Sequence, residues 1–425
     1  MRIARGLAVL LALVFSAGSA MAAGFRLPEA GAKAMGMGFA FTAQADDPSA
    51  IYFNPAGLTQ LEGTNVMIGG TYVRENGGEF TGITPLTGGV TRTETQKDLN
   101  FFIPNAYVTR KASPNFSYGV GIFAPFGLGQ EYDNPAASIF RNQVTKIDLQ
   151  TVVVNPTVAW KINEMLSVGA GIDFMWGNAE LEKFAISGAG TNLFKFNLEG
   201  DGTAWGYNIG ILVKPVKDLN IGISFRSPFH LKIKDGDVTL TDNNIALGGP
   251  FPATSQAKTT IKMPATAALG IAYRFFDKLT IEGDVDWTFW SSFNELNIQN
   301  QSSPALSSTP TGRLRDWKDV AAFRIGGEYR VTAPLALRLG FAYDKTPVPA
   351  STMGAELPDA DRLNYMAGVG YKFANWTIDG SYFYARKKDR SASNIRLEEN
   401  GNPIGFNGTW KGDAHLVALD VGYRF

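Results

Sequence analysis

Beyond residue 63, apolar and polar side chains alternate along the chain with a period of two. In the last segment one face is entirely apolar and consists of Val417, Leu419, Val421, Tyr423 and Phe425. This period is typical of a β-strand whose two faces meet different surroundings. The same alternation recurs over 279–289 and 335–344. An apolar face opposite a face of small and charged residues is typical of strands that cross a membrane in a barrel.

The alternating segments predict an all-β protein, a transmembrane antiparallel β-barrel of about 14 strands. Short turns alternate with long polar loops, which places both chain termini on the periplasmic side. The long loops lie near 75–97, 234–256, 291–318, 347–361 and 388–410. The predicted strands cover 64–74, 98–110, 115–127, 144–161, 166–183, 196–214, 219–233, 257–274, 279–290, 319–331, 335–346, 362–372, 376–387 and 411–425.

A soluble β-sandwich also alternates and is the main alternative fold. We favour the barrel because a sandwich would carry fewer aromatic residues near the strand ends of its apolar face and would have shorter strands. A charge facing lipid at the bilayer midplane costs about 2–4 kcal/mol, so membrane strands keep charges on the inner face. Only a closed barrel leaves no strand edge unpaired in hydrocarbon. We therefore predict a transmembrane barrel over 64–425.

The N-terminus has the pattern of a secretory signal peptide. Arg2 and Arg5 precede an apolar run from Leu7 to Phe15, and Ala20-Met21-Ala22 forms a small-residue cleavage site. The apolar run is too short to span a bilayer. We predict that residues 1–22 are removed and that the mature protein is exported to the outer membrane of a Gram-negative cell.

Composition removes several other functions. Lysine plus arginine equals aspartate plus glutamate at 39 each, so no bulk charge attracts nucleic acid, and we expect no nucleic-acid partner. The chain has no cysteine and only two histidines, His230 and His415, neither within a catalytic or metal-binding motif. We expect no enzymatic activity, no cofactor and no metal ion. Asp359-Ala360-Asp361 lacks the spaced Gly and Glu of an EF-hand loop.

Residues 23–63 do not alternate as a strand does. The segment is rich in glycine and alanine and is too long for a simple tail. It is either a disordered leader or a hatch that folds into the lumen, and a barrel of this size is wide enough to leave a lumen that something must fill.

Several short motifs in this segment and in the barrel point to a particular protein family. Asn54-Pro55-Ala56 follows Ala45-Asp46-Asp47-Pro48-Ser49-Ala50-Ile51-Tyr52-Phe53. Further motifs lie in the third predicted strand and before the twelfth: Ala124-Pro125-Phe126-Gly127-Leu128 and Leu357-Pro358-Asp359-Ala360-Asp361-Arg362. As an ordered set, they resemble the FadL-type transporters of long-chain fatty acids and other hydrophobic compounds. The resemblance covers nearly the whole mature chain.

The resemblance implies a 14-stranded barrel with residues 23–63 as a hatch, in which Phe25, Asn54, Pro55 and Ala56 contribute to ligand binding. It also implies a lateral exit at an inward kink of the third strand, which corresponds here to Phe123, Pro125, Phe126 and Gly127. Proline cannot donate to a strand ladder and glycine weakens one, so the residues alone also favour a bulge at this point. A mere strand end near a loop is the alternative.

Inward-facing arginines are candidates for binding a fatty-acid carboxylate, because a guanidinium can hold a carboxylate through two hydrogen bonds. We select Arg226, Arg324 and Arg338. The alternative is a network of neutralising charges that makes the lumen rigid. Each buried CH₂ contributes roughly 0.8 kcal/mol, whereas a hydrogen bond to a charged group nets roughly 1.5–3 kcal/mol. Apolar contacts should therefore dominate affinity, which favours Phe25, Phe123 and Phe126.

The expected function is passive uptake of a hydrophobic small molecule, with long-chain fatty acids as the first choice. Small aromatic hydrocarbons are the second choice, and a general porin or a structural, adhesive barrel are further alternatives. We also expect contact with outer-membrane lipid and lipopolysaccharide, and a monomeric protein.

Overall fold

The computed structural model describes residues 24–186, 192–241, 252–303, 306–308, 314–397 and 403–425. The predicted signal peptide lies outside these residues. Two short helices, α1 (Ala32–Gly36) and α2 (Ala50–Phe53), and the 3₁₀ helices Pro55–Gln60, Pro85–Thr87 and Trp290–Ser292 accompany the strands. The strands are β1 (Thr64–Ile83), β2 (Arg92–Thr95), β3 (Leu99–Ser113), β4 (Phe116–Phe123), β5 (Gly127–Glu131), β6 (Lys146–Lys161), β7 (Leu166–Ile186), β8 (Asn192–Val216), β9 (Leu219–Arg226), β10 (Phe229–Thr241), β11 (Thr254–Met263), β12 (Thr266–Phe275), β13 (Leu279–Thr288), β14 (Gln299–Asn300), β15 (Val320–Arg330), β16 (Leu335–Asp344), β17 (Arg362–Phe373), β18 (Trp376–Lys387), β19 (Arg390–Ser393), β20 (Arg396–Leu397), β21 (Pro403–Ile404) and β22 (Asn407–Arg424).

The long strands form a closed antiparallel barrel of 14 strands, as the sequence predicts. Each strand pairs with the next in the chain, and β22 pairs with β1 from Asn65↔Arg424 to Ile83↔Asn407 to close the wall. Three of the 14 strands are interrupted, so that β4 and β5, β9 and β10, and β11 and β12 each form one barrel strand. Within the described residues, no helix has the length and apolar character needed to cross a membrane.

The two faces of the wall differ as the alternation predicts. On β16, Leu339 is 71% exposed while its neighbour Arg338 is 4% exposed, because the first faces outward and the second faces the lumen. Exposed aromatic side chains form two girdles on the outside. The periplasmic girdle includes Tyr118, Trp160, Tyr273, Phe276, Tyr329, Tyr371 and Trp376, and the outer girdle includes Tyr72, Phe102, Phe174, Trp205, Tyr207, Trp287 and Tyr365.

Several predicted strand boundaries are wrong on the extracellular side. The segment 75–83 was expected in a loop but continues β1, which stays paired with β22 beyond a bulge between Asn76 and Glu79. The predicted loop 234–256 likewise contains the end of β10 and the start of β11, and the loop near 388–410 contains short strands. Outside the membrane both faces of a strand meet water or loops, so the apolar alternation that marks a strand disappears.

Two predicted strands are continuous in the sequence interpretation but interrupted in the structure. The seventh breaks at Ser227-Pro228 and the eighth breaks opposite it at Pro264-Ala265. The pairing register is the same on both sides of the break, since Arg226 pairs with Thr266 and Phe229 with Met263. Two opposed prolines lack the N–H groups that would continue the ladder.

The segment 24–61 lies inside the barrel. Between these positions, only Arg26, Asp46, Asp47 and Gln60 are not fully buried. The segment supplies no strand to the wall, and its short helices contact the inner faces of β16–β18 and β6–β8. Buried loops are rare because their backbone polar groups must find partners. The wall provides those partners, as described below.

Deleting residues 24–61 should open the lumen to ions, because this segment fills it without forming part of the wall. In planar bilayers we expect the conductance of the barrel to rise from near closure to the level of a water-filled pore. A variant that lacks only the outer-loop residues 85–91 is the matched control and should stay closed. Equal conductance of the hatch deletion and the intact protein would contradict this assignment.

Candidate functional site

Carboxylates on the inner wall hold the hatch by its backbone. Both Phe41 and Thr42 donate their backbone N–H to one oxygen of Asp284, at 3.0 Å each. Two residues before Asp284 on β13, Glu282 accepts hydrogen bonds from the backbone N–H of Ala43 at 2.6 Å and from that of Gln44 at 2.9 Å. The turn at 41–44 is therefore fixed against β13 by four hydrogen bonds to two carboxyl groups.

Two further acidic residues anchor the start of the hatch. Asp420 of β22 accepts from the N–H of Ala32, the first residue of α1, at 2.5 Å. Asp359, in the loop before β17, accepts from the N–H of Gly24 at 3.1 Å. The second contact lies on the extracellular side of the barrel, so the hatch begins near the outer loops and then descends into the lumen.

Glycines on the inner register let the hatch backbone touch the wall. A Cβ on Gly340 would lie 2.0 Å from the backbone nitrogen of Gly38, and a Cβ on Gly210 would lie 2.1 Å from Oδ1 of Asn54. Neither distance is sterically possible. The small residues of the lumen face thus form the surface on which the hatch packs.

The third barrel strand departs from its neighbour at the predicted kink. β4 pairs with β3 as far as Ala106↔Ile122, and then the chain turns inward at Ala124-Pro125-Phe126. A single bridge, Gln96↔Tyr132, rejoins the two strands at the extracellular end in the same register. Between these points, residues 99–105 of β3 have no partner on this side among the described residues. The wall therefore has a lateral gap beside the kink.

The backbone groups that the kink withdraws from β3 are satisfied by the hatch. Leu27 donates its N–H to the carbonyl of Pro125 at 2.8 Å, and Gly127 donates to the carbonyl of Phe25 at 3.0 Å. On the other side, the hydroxyl of Thr151 bonds both the N–H and the carbonyl of Phe126. A short hatch strand thus replaces β3 as the partner of the kink.

An apolar cavity of about 80 Å³ lies above this contact. Its lower boundary includes Phe25 of the hatch and Leu128 of β5, the residue after the kink. The rest of its lining is mostly aliphatic or aromatic, with Asp148, Glu180 and Thr259 also at its border. The apolar part includes Ile147, Leu149, Leu181, Leu198, Ile233, Ile261, Phe293, Leu296 and Ile298. The cavity can hold an apolar group that touches both the hatch and the kink.

Phe25 is the centre of an aromatic cluster at the bottom of this cavity. Its ring centroid lies 4.6 Å from that of Trp290, 5.3 Å from Phe293 and 5.7 Å from Trp317, all from the long loop after β13. It lies 6.0 Å from Phe126 of the kink. This hatch side chain therefore contacts the kink and the outer loop at once.

A second, more polar cavity lies beneath Phe126. It is lined by Arg26, Arg226 and Asp286 together with Pro125 and Phe126. Arg226 is firmly held, because it forms two bonds of 2.5 and 2.6 Å with Asp173. Arg26 is held loosely, since its bonds to Asp286 and to a neighbouring hydroxyl are all 3.4 Å long.

The other arginines selected from the sequence lie deeper in charge networks. Arg324 bonds Asp286 at 3.0 Å and Asp344 at 3.2 Å. Arg338 bonds two carboxylates at 2.7 Å each, those of Glu328 and Asp379. Neither arginine lines one of the two cavities just described.

The remaining sequence candidates divide between cavity and scaffold. Phe25 lines the apolar cavity and Phe126 the polar one, whereas Phe123 packs on Tyr52 of the hatch at 5.1 Å. Asn54-Pro55-Ala56 begins a 3₁₀ helix, which Asn54 caps by accepting from the N–H of Ala56. The amide of Asn54 also donates to Ile211 of the wall at 3.0 Å. This triplet therefore positions the hatch against β8.

Sequence reasoning missed Arg26 and most of the cavity lining. Arg26 follows a candidate, Phe25, but nothing in the local pattern distinguishes it from other basic residues. The inward apolar residues of β10 and β11, such as Ile233 and Ile261, break the rule that lumen positions are small or charged. These inward apolar residues were the sequence signal that could have indicated an apolar cavity at this point of the wall.

A closed barrel with two aromatic girdles, a lumen filled by a hatch and a kinked third strand defines a channel of the bacterial outer membrane rather than an enzyme. The comparison of sequences gives the family. The chain belongs to the outer membrane protein transport protein family (OMPP1/FadL/TodX), whose model matches residues 13–425. It is accordingly an outer-membrane protein.

Individual relatives agree over almost the full length. The long-chain fatty acid transport protein of Escherichia coli O6:H1 is 28% identical, with 99% of this chain and 98% of that protein aligned. Outer membrane protein P1 of Haemophilus influenzae is 25% identical over 97% and 98%. Among solved structures, a Pseudomonas aeruginosa FadL homologue has a TM-score of 0.84 at 19% identity, covering 95% of this chain and all of that one. The Ralstonia pickettii toluene transporter TbuX has a TM-score of 0.67 at 20% identity, covering 94% and 99%, and like the previous structure shows the shared fold.

One acidic residue of the hatch is buried without a partner. Neither carboxylate oxygen of Glu29 accepts a hydrogen bond from another described residue, and the side chain is 1% exposed. Burial raises the pKa of Glu29 from 4.5 to about 8; nearby Asp344 raises it further, while Arg324 and Arg362 lower it. An unfolded glutamate has a pKa of about 4.3. A pKa raised on folding stabilises the docked hatch at low pH, and this stabilisation is lost as the pH rises toward 8.

Raising the pH from 6 to 9 should therefore loosen the hatch, since Glu29 must then ionise in a buried place. Hydrogen exchange of the backbone amides of residues 24–45, corrected for the intrinsic effect of pH, should show lower protection at pH 9. Glu29→Gln should remove most of this difference. Glu62→Gln, at an exposed position, is the control and should keep it. The same loss of protection in both variants would show that Glu29 is not the responsible group.

Proposed function

We propose that this protein takes up long-chain fatty acids or closely similar anionic hydrophobic molecules by passive diffusion. The observation that carries the proposal is the apolar cavity between Phe25 of the hatch and Leu128, which follows the kink on the strand that has left β3. A hydrophobic molecule bound there is in contact with both elements that would have to move for its release into the membrane.

The size of the cavity favours an induced opening. An apolar cavity of about 150 Å³ accommodates benzene, whereas this one has about 80 Å³. Phe293 and Leu296 belong to the outer loop after β13 and form part of the lining. Displacement of these two side chains is the route by which a longer chain gains space. Each CH₂ then buried adds roughly 0.8 kcal/mol, so a long acyl chain offsets the cost.

Arg26 is the proposed contact of a carboxylate headgroup. It adjoins Phe25 in the hatch, lines the polar cavity beneath Phe126, and is bound to Asp286 only through long hydrogen bonds. Among the arginines selected from the sequence, Arg226 lines the same cavity and is the second candidate. Arg324 and Arg338 would have to abandon two carboxylates each, which makes them weaker candidates.

The lateral gap is the proposed exit. Residues 99–105 of β3 lie beside the kink but do not pair with it. The hatch residues 25–27 bond the kink in their place. Movement of that short strand would connect the cavity to the gap. Small aromatic hydrocarbons could use the same route, and the fold shared with a toluene transporter keeps this cargo as the alternative. The filled lumen argues against a general porin.

Cargo class can be tested through Arg26. Arg26→Gln should weaken oleate binding to the detergent-solubilised protein roughly tenfold or more, as expected for loss of a charged hydrogen bond. Toluene binding should stay unchanged, because an uncharged ligand has no headgroup to lose. Arg110→Gln, at an exposed position of β3, serves as the control. Tight toluene binding with no measurable oleate binding would overturn the fatty-acid assignment.

The exit can be tested at Gly127. A Cβ at this position would lie 2.9 Å from Cδ1 of Leu27, so Gly127→Val should wedge the hatch strand against the kink. We expect fatty-acid uptake into cells to fall several-fold while oleate binding to the purified protein changes little. Gly380→Val is the matched control, since its Cβ would have no neighbour closer than 3.9 Å. Parallel loss of binding and uptake would contradict an exit role.

A further inference from the structure

The outer face of β10 and β11 carries a cluster of basic side chains that the transport function does not use. It consists of His230, Lys232 and Lys234 on β10 and Lys258 and Lys262 on β11. His230 pairs directly with Lys262 across the two strands, and Lys232 pairs with Thr260. The alternate residues on β10, such as Leu231 and Ile233, are buried on the inner face.

This basic cluster lies just above the outer aromatic girdle. Lys232 pairs with Thr203 of β8, and Trp205, two residues nearer the membrane, is 64% exposed. Below the cluster, the same two barrel strands continue as β9 and β12, whose outward residues are apolar. These include Ile223, Phe225, Leu269 and Ile271. Cations thus stand at the level of lipid headgroups, directly above a surface suited to acyl chains.

The cluster surrounds a hollow rather than a flat surface. The segment 294–299 runs beside the edge of β11 and encloses about 340 Å³ with it. The four lysines of the cluster line this hollow together with Thr260 and Asn297. A concave site can surround an anionic group with several cations at once.

None of these four lysines forms a salt bridge within the described part of the chain; the nearest contact is from Nζ of Lys262 to Asn294, at 3.5 Å. Lysines elsewhere on the extracellular side do find partners, as Lys318 does in Asp316 and Lys146 in Glu180. Acidic residues of the same outer face, Glu199, Asp201, Asp235 and Asp237, stand level with Lys234 or farther from the membrane, and Glu295 lies on the loop side of the hollow. The two lysines nearest the membrane, Lys232 and Lys262, therefore have no acidic residue paired with them, whereas Lys234 and Lys258 share their level with these carboxylates.

We infer that this hollow binds the phosphorylated glycolipid of the outer leaflet, lipopolysaccharide. Its phosphates would contact the lysines, and its acyl chains would lie along the apolar outer faces of β9 and β12. Lysine binds phosphate as a point charge, and basic pockets at a membrane surface recognise anionic headgroups. The site adjoins the cargo cavity, because Ile233 and Thr259 line both, but the lysines lie on the outer face of the wall.

The test uses the full-length mature protein in detergent with purified lipopolysaccharide. The variant replaces all four lysines by glutamine (K232Q, K234Q, K258Q, K262Q), and native mass spectrometry measures the bound fraction. Each lysine near an anionic surface contributes roughly a fivefold factor in affinity, so binding should weaken at least about tenfold. The matched control is K318Q with K388Q, two exposed lysines that have acidic partners. It should bind as the unchanged protein does.

Three further arms separate the possible ligands. Dephosphorylated lipopolysaccharide should bind weakly to the unchanged protein; equal binding would overturn the phosphate contact. Replacement of the four lysines by arginine should restore binding, which would not occur if the glutamine variant had merely lost its fold. Heat-dependent migration on gels checks that each barrel is folded. A glutamine variant that binds lipopolysaccharide normally but loses oleate uptake would show that the cluster serves cargo capture, and the inference would be wrong.

Discussion

The hydrogen bonds between the kink and the hatch are the interaction on which the arrangement of this channel depends. A strand in a membrane wall cannot leave its neighbour without stranding backbone N–H and carbonyl groups, each of which costs several kcal/mol in hydrocarbon. Here Phe25 and Leu27 of the hatch bond the kink, and Thr151 satisfies the residue between. The gap in the wall and the position of the hatch are therefore two consequences of one set of bonds.

The inner wall supports that set of bonds with buried carboxyl groups that hold the hatch backbone. Glu282, Asp284 and Asp420 accept hydrogen bonds from backbone N–H groups of the hatch. A buried carboxylate is stable only when it is well bonded. Each anchor thus gives buried N–H groups of the hatch backbone an acceptor. The lumen is filled by an element that is held at many points and still belongs to no strand.

Apolar contact and charge are separated in space. The cavity next to Phe25 is nearly free of polar atoms, whereas Arg26, the following residue, faces a polar cavity on the other side of the kink. A molecule with a long tail and one charge matches this division. The lysines on the outer face of β10 and β11 are directed away from the cavity and toward the lipid headgroups, so the same wall presents different chemistry to cargo and to membrane.

The sequence by itself determined the barrel and its strand number, favoured a bulge at Pro125, and pointed to a hatch through the family resemblance. A period of two with charges on one face has a single solution in hydrocarbon, and Pro125 with Gly127 cannot continue a ladder. Only the tertiary structure decided what the inward residues do. Whether Asp284 meets an arginine or the N–H groups of residues 41 and 42 depends on how a segment 240 residues earlier folds back, and no local pattern records that. The strand extensions beyond the membrane and the selection of Arg26 were hidden for the same reason: contacts distant in sequence fix them.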